Sequence, residues 1–337
     1  MTTGSKNQSD IPQGECVFAA DLGGTHLRVA TVDRNGKMYC RQMQPTPQAE
    51  KPNDIVRALI DAVRKCESKT RAQGGELSAV SVVVPGSVNV AEGVVVKAPN
   101  VSCLDGFRLR AALESELEWP VILENDANAA AIGEMWQGAG RGYRTLICVT
   151  LGTGVGGGII LDGKLWRGAD GSAAEIGHIG VDPFAGVACM CGSRGCLEVY
   201  ASATAIVRMT REARPRYPNS ILHNTEDLTS AKIYQAGKEG DELAIEVFRR
   251  MGVYLGIGLA SLINVLNPEI VVIGGGLSNG WELFEKHMHQ QVVERAFPIP
   301  ARRVRIVRAQ CGDDAGLLGA ARLAFTGSGE LSVQTTK

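Results

Sequence analysis

Apolar positions along the chain follow two rhythms, a period of two that marks strands and a period of about 3.6 that marks helices. CVFAADLGGTHLRVATVD, from Cys16 to Asp33, is a β-rich run, a Gly-Gly turn and a second β-rich run, which predicts a hairpin with Asp21 opening its turn. From Asn53 to Gly74 the apolar residues Ile55, Leu59, Ile60 and Val63 recur at helical spacing between charges, an amphipathic helix. LSAVSVVVPG then reads as a buried β-branched strand. Strand and helix alternate, so the class is α/β.

The same punctuation returns further along. PVILEND is a strand ending at Asp126, and ANAAAIGEMWQGAG is a helix starting just after it. TLICVTLGTGVGGGIILDGKL repeats strand, glycine turn and strand, so the two glycine hairpins imply two similar halves. LEVYASATAIVRMTREA reads as one helix that Glu198 is placed to cap, and Met251 to Leu266 as a buried helix. PEIVVIGGGLSNG gives a strand running into a glycine triplet, and DDAGLLGAARLAF a last helix.

Composition narrows the function. With 45% hydrophobic and 21% charged residues, the 337-residue chain can build two cores. A balance of 35 basic against 36 acidic residues offers no field for nucleic acid or an anionic membrane, so binding must come from a site. The apolar run at Met251 falls short of the roughly 20 residues that span a bilayer. The leading MTTGSKNQSDIPQG has no apolar core of a secretory signal, so a cytoplasmic protein is expected. Of nine cysteines, Cys16, Cys40, Cys66, Cys103, Cys148 and Cys311 are scattered singly through apolar segments and read as buried free thiols of a reducing compartment.

The other three are concentrated. Between Glu175 and Glu198, EIGHIGVDPFAGVACMCGSRGCLE places Cys189, Cys191 and Cys196 in a glycine-broken loop after His178, the soft four-ligand set of a closed structural zinc site. Small buried thiols, or one disulfide with a thiol left over, are the alternatives, although a CxC pair does not easily close on itself. The glycine turns point to phosphate, because bare backbone exposes N–H groups and permits close approach. DLGGT (Asp21, Gly23, Gly24, Thr25) and LGTGVGGG (Gly152, Thr153, Gly154) both lack the lysine of a Walker A loop, and tight β-turns would look the same. Gly274, Gly275 and Gly276 would let an adenosine lie on bare backbone. Asp126 is either the cap of its helix or a base at a strand end, and both roles can coexist.

DLGGT, VPGSVN, APN, ENDANAAAIGE, LGTGVGGG, EIGH, CMCGSRGCLE and IGGGL occur in the order found in the ROK (repressor, open reading frame, kinase) family, and the chain resembles that family from about Cys16 to Phe325. The resemblance implies the actin-like ATPase fold of sugar kinases, two RNase-H-like α/β domains around a cleft. A small domain would comprise 15–125 plus 314–326 and a large one 126–313, with a zinc loop over 178–196 and disordered tails at 1–14 and 327–337. Among members it is most similar to the bacterial glucokinases. That likeness implies phosphorylation of D-glucose by Mg-ATP, with Asp126 as general base and Asp21 positioning Mg²⁺ through water. Gly86, Asn100, Asn125, Asp126, Glu175, His178 and Glu198 would hold the sugar, and Ser87 would help set the sugar preference. His178 would bind zinc through one ring nitrogen and a sugar hydroxyl through the other, while strand alternation points Glu124 elsewhere. A homodimer or homotetramer is implied, with no nucleic acid or membrane partner. The rivals are kinases of N-acetylmannosamine, N-acetylglucosamine or fructose, a polyphosphate-using relative, and a sugar-sensing repressor, for whose helix-turn-helix the twenty residues before Asp21 leave no room.

Overall fold

The computed structural model describes residues 14–326, and the expected tails lie outside them except for Gly14, which opens the first strand. Two units emerge, one taking the chain up to Gly133 and again from Gly316, the other spanning Glu134–Ala315. The first division falls inside a helix, where 125/126 was expected. Among the described residues no helix is long and apolar enough to cross a membrane.

The first unit begins with β1 (Gly14–Leu22), β2 (His26–Asp33) and β3 (Met38–Pro45), then α1 (Pro52–Ala72) and β4 (Gly75–Val84). A short hairpin, β5 (Ser87–Asn89) and β6 (Val94–Lys97), precedes α2 (Leu109–Glu114), β7 (Val121–Asn125) and α3 (Asp126–Gln137). Its sheet has the order β3-β2-β1-β4-β7. β1 and β2 pair antiparallel as the predicted hairpin, whereas β1, β4 and β7 are parallel. The carboxyl ends of those three strands therefore share one edge, where open α/β sheets place their ligands. Ile55, Leu59, Ile60 and Val63 of α1 are all buried, with Phe18, Val80, Val82 and Leu123, in a core of this unit's own.

The second unit repeats the plan. It contains β8 (Leu146–Leu151), β9 (Val155–Leu161), β10 (Lys164–Leu165), α4 (Glu198–Ala201), α5 (Ala203–Ala213), α6 (Ser230–Lys238) and α7 (Glu242–Leu266). β11 (Ile270–Gly274), α8 (Trp281–Arg295), α9 (Pro298–Arg303) and β12 (Arg305–Arg308) follow, and α10 (Ala315–Thr326) returns the chain to the first unit. The sheet order β10-β9-β8-β11-β12 matches the first sheet position by position, with an antiparallel hairpin at one side and parallel strands at the other. α7 is capped by Asp241, which accepts from Ala244 N–H at 3.0 Å, and ends at Asn267 in the left-handed conformation. Its Met251, Leu255, Leu259 and Ile263 are fully buried.

Two expectations change. The helix predicted from Leu197 breaks at Ser202, whose extended backbone and hydroxyl, accepting from Ala205 N–H, cap α5 separately. Among the scattered cysteines, Cys16, Cys66 and Cys148 are buried, but Cys40, Cys103 and Cys311 are partly exposed.

Candidate active site

In the first unit the candidate residues gather at the shared strand edge. Asp21 is second from the end of β1 and pairs in register with Arg28 across the hairpin, its carboxylate 3.5 Å from the guanidinium. The turn that follows is braced by Thr46, which donates its hydroxyl to Gly23 O at 2.6 Å and its N–H to Thr25 O at 2.9 Å. A Cβ on Gly24 would lie 2.7 Å from Asn100 Cβ, so the turn is seated on the APN segment. Gly86 has φ of +95°, and a side chain there would overlap the Lys97 carbonyl; only glycine lets the β5–β6 hairpin close.

Asn125 ties these parts together. Its side-chain NH₂ donates to Gly86 O at 2.8 Å and to Asp126 Oδ1 at 3.0 Å, and its Oδ1 accepts from Asn128 N–H at 2.9 Å. Asp126 is half-buried and also accepts from Ala127 N–H at 2.8 Å. Burial, and then the nearby charge of Asp21, push its carboxyl group up to about 7, where it exchanges a proton near neutral pH. Glu124, expected to point elsewhere, is not idle. Buried to 1% exposure, its Oε1 accepts from Asn125 N–H at 2.9 Å and Asn128 Nδ2 at 3.1 Å, fixing both asparagines. Sequence patterning gives no role to Asn128 or Arg28 and gives Glu124 only a direction; an acidic residue beside two asparagines at a strand end is the available signal.

In the second unit β8 and β11 are parallel, with Thr150 beside Gly274, which brings the two glycine segments together. Gly275 packs so closely on the Leu151 backbone that a Cβ would overlap it. The Gly152–Thr153–Gly154 turn is held by Ala203 N–H on Gly152 O at 2.8 Å and by Thr204 Oγ1 on Thr153 O at 2.9 Å. Glu198 lies against this turn, accepting from Val155 N–H at 3.0 Å where glycine at 154 leaves room, so it anchors the turn and caps no helix.

Glu175 precedes a tight turn over Ile176–His178, and the His178 Nε2 is 3.9 Å from its carboxylate. The other ring nitrogen, Nδ1, faces the cysteines at 3.7 Å from Cys189 Sγ, and Cys191 and Cys196 Sγ are also 3.7 Å apart. All four donor atoms lie within 4.8 Å of one another. Tetrahedral zinc with bonds of about 2.3 Å to sulfur requires sulfur separations of about 3.8 Å, which Cys191 and Cys196 meet, and the three thiols and one imidazole suit the ion in chemistry. The loop has other supports: Asp182 accepts from Tyr200 OH at 2.9 Å, and Tyr200 stacks on Tyr254.

The sequence profile of the ROK family matches residues 17–326. The chain belongs to the ROK family. It is 38% identical over 303 residues to a glucokinase of Halalkalibacterium halodurans, covering 89% of this chain and 92% of that protein. The crystal structure of a ROK family glucokinase from Streptomyces griseus in complex with glucose and AMPPNP superposes with a TM-score of 0.78 at 35% identity, over 92% of this chain and 99% of that one. A xylose repressor of Caldicellulosiruptor bescii is 30% identical over 90% of this chain and 76% of its own length. The fold is thus the actin-like ATPase fold of ROK sugar kinases.

Proposed function

We propose that this ROK protein is a glucokinase, transferring the γ-phosphoryl group of ATP to the 6-hydroxyl of D-glucose with Asp126 as general base. The observation that carries the reading is the place of the Asp126 carboxyl group, at the β7–α3 junction beside Asp21 and its glycine turn, where burial and the Asp21 charge push it up to about 7. A hydroxyl attacking phosphorus must lose a proton, and a carboxylate with an affinity near the working pH takes it efficiently. Asn125 keeps Asp126 oriented through its side-chain NH₂. Gly86, Asn100, Asn125, Glu175, His178 and Glu198 are read as the sugar contacts, since carboxylates and carboxamides match a ring of hydroxyls that donate and accept. In Glu198 one oxygen already serves Val155 N–H, which leaves the other for sugar.

Gly23, Gly24 and Thr25 with Gly152, Thr153 and Gly154 are read as the phosphate contacts, and Gly274, Gly275 and Gly276 as the adenosine contact. Mg²⁺ supplies charge neutralisation on the phosphates, and Asp21 suits it as a carboxylate acting through water. His178, Cys189, Cys191 and Cys196 would hold structural zinc, with Nδ1 of His178 as its nitrogen. A homodimer or homotetramer in the cytoplasm completes the reading.

A coupled assay over a panel of hexoses with ATP and polyphosphate as donors tests it. The expected outcome is turnover with glucose and ATP. No turnover with glucose beside clear turnover with fructose or an N-acetylhexosamine would overturn the glucose assignment. Sugar binding without any turnover would favour the repressor class.

A further inference from the structure

Cys40 and Cys66 lie outside the sites described above. Cys40 is in β3, an outer strand of the first sheet, and Cys66 is a fully buried residue of α1. Their sulfurs are 2.7 Å apart, far closer than the 3.7 Å between Cys191 and Cys196. Gln42 Nε2 donates to both, at 3.2 Å and 3.4 Å. A disulfide bond needs about 2.05 Å, so the two free thiols are in close contact without a bond.

The backbone has been bent to bring them together. In the β2–β3 pairing Val29 faces Gln42 and Thr31 faces Tyr39, which leaves Cys40 and Arg41 opposite the single residue Ala30, a β-bulge. Cys40 has φ of +47°, the left-handed conformation that bulges of this kind reserve for glycine. A thiol thus occupies a glycine position, and the gain is contact with a second thiol. Local rules broken in this way mark a site with a role.

We propose that Cys40 and Cys66 are a redox-active pair that hydrogen peroxide closes to a disulfide, clamping β3 to α1. The Cys40 thiolate, which is partly exposed, attacks one oxygen of the O–O bond; Cys40 becomes a sulfenic acid and hydroxide leaves. Burial raises the affinity of the Cys66 thiol for its proton, so Cys66 keeps that proton until it attacks the Cys40 sulfur. The S–S bond forms, the S–O bond breaks, and the hydroxyl leaves with the proton as water. Two thiols are oxidised and one peroxide is reduced to two waters. A dithiol reverses the bond by exchange. The clamped strand leads directly to Thr46, the brace of the Asp21 turn.

The test is peroxide treatment of the full-length protein in the presence of excess Zn²⁺, followed by acid quenching, alkylation in denaturant and digestion without reduction. Mass spectrometry should find one peptide joining Cys40 to Cys66, lighter than its two parts by two hydrogens and lost on adding a dithiol. Cys40→Gly should form no such peptide while melting no lower than the reduced wild type, because glycine is at ease in the bulge. Alkylation of both Cys40 and Cys66 as complete as in untreated protein, or crosslinks confined to Cys189, Cys191 and Cys196, would overturn the proposal.

Discussion

Asp126 is expensive for the fold. Its carboxyl group ionises near pH 7 in the folded protein against 3.8 for an ordinary aspartate, with burial the larger cause and Asp21 the smaller. Between those pH values the folded state binds more protons than the unfolded chain, so this group lowers stability as pH rises through the window. At one unit per 1.36 kcal/mol the loss approaches about 4 kcal/mol above pH 7. Asp126→Asn should therefore melt higher than wild type at pH 8 and no higher at pH 4, a difference scanning calorimetry would detect. In catalysis the sign is opposite, since the proposed base works only when ionised: kcat/KM should fall about tenfold per unit as pH drops below about 7. A flat profile down to pH 5.5 would exclude this group as base. The places of Asp21 and Asp126 were legible in the sequence because a glycine turn and a strand end are local signals. Glu124 was not, because the sequence pattern gives only its direction, and its hydrogen bonds to the Asn125 N–H and the Asn128 side chain exist only once the first turn of α3 has formed after β7. Glu124→Leu leaves both asparagines without their acceptor. It should lower glucose affinity and kcat together by about tenfold, read from steady-state kinetics beside an unchanged ATP KM.

At the scale of elements, the loop from Glu175 to Glu198 would join the two proposed tasks, holding zinc and contacting sugar. His178 turns Nδ1 to the cysteine sulfurs while its Nε2 lies 3.9 Å from the Glu175 carboxylate, so whatever orders the sulfurs also places the ring beside Glu175. Ligand partners beyond the donor atoms commonly fix a histidine in this way. Cys191→Ala should lower bound zinc, measured by elemental analysis, and raise the glucose Kd about tenfold or more, with ATP affinity unchanged. A fully active protein without zinc would contradict this. The sequence pattern was enough to group His178, Cys189, Cys191 and Cys196, which the structure brings within 4.8 Å of one another. It was misleading for Glu198: the periodicity of LEVYASATAIVRMTREA runs through Ser202 without interruption, and only the packing of α4 against the β8–β9 turn shows why the helix must break there. Cys40 escaped for the same reason, since neither a bulge nor a partner on α1 is written in its own neighbours.

At the scale of the whole molecule, two sheets of one strand order, each with its own core, repeat a single plan. That duplication was legible, because both copies begin with strand, glycine turn and strand, and short hairpins are the least ambiguous signals a chain carries. The division between units was harder to see, since α3 and α10 belong to both. Gly319 lets α10 lie directly on the Ala129 carbonyl of α3, a contact between segments far apart in sequence. The central claim, that the residues at the ends of β1 and β7 drive phosphoryl transfer to glucose, is tested by one comparison. Turnover of glucose with Mg-ATP is measured for wild type and Asp126→Asn, with glucose affinity by titration calorimetry. Loss of the base should cut kcat by about a thousandfold while the glucose Kd stays within about threefold. A variant retaining more than about a tenth of wild-type turnover would contradict the account.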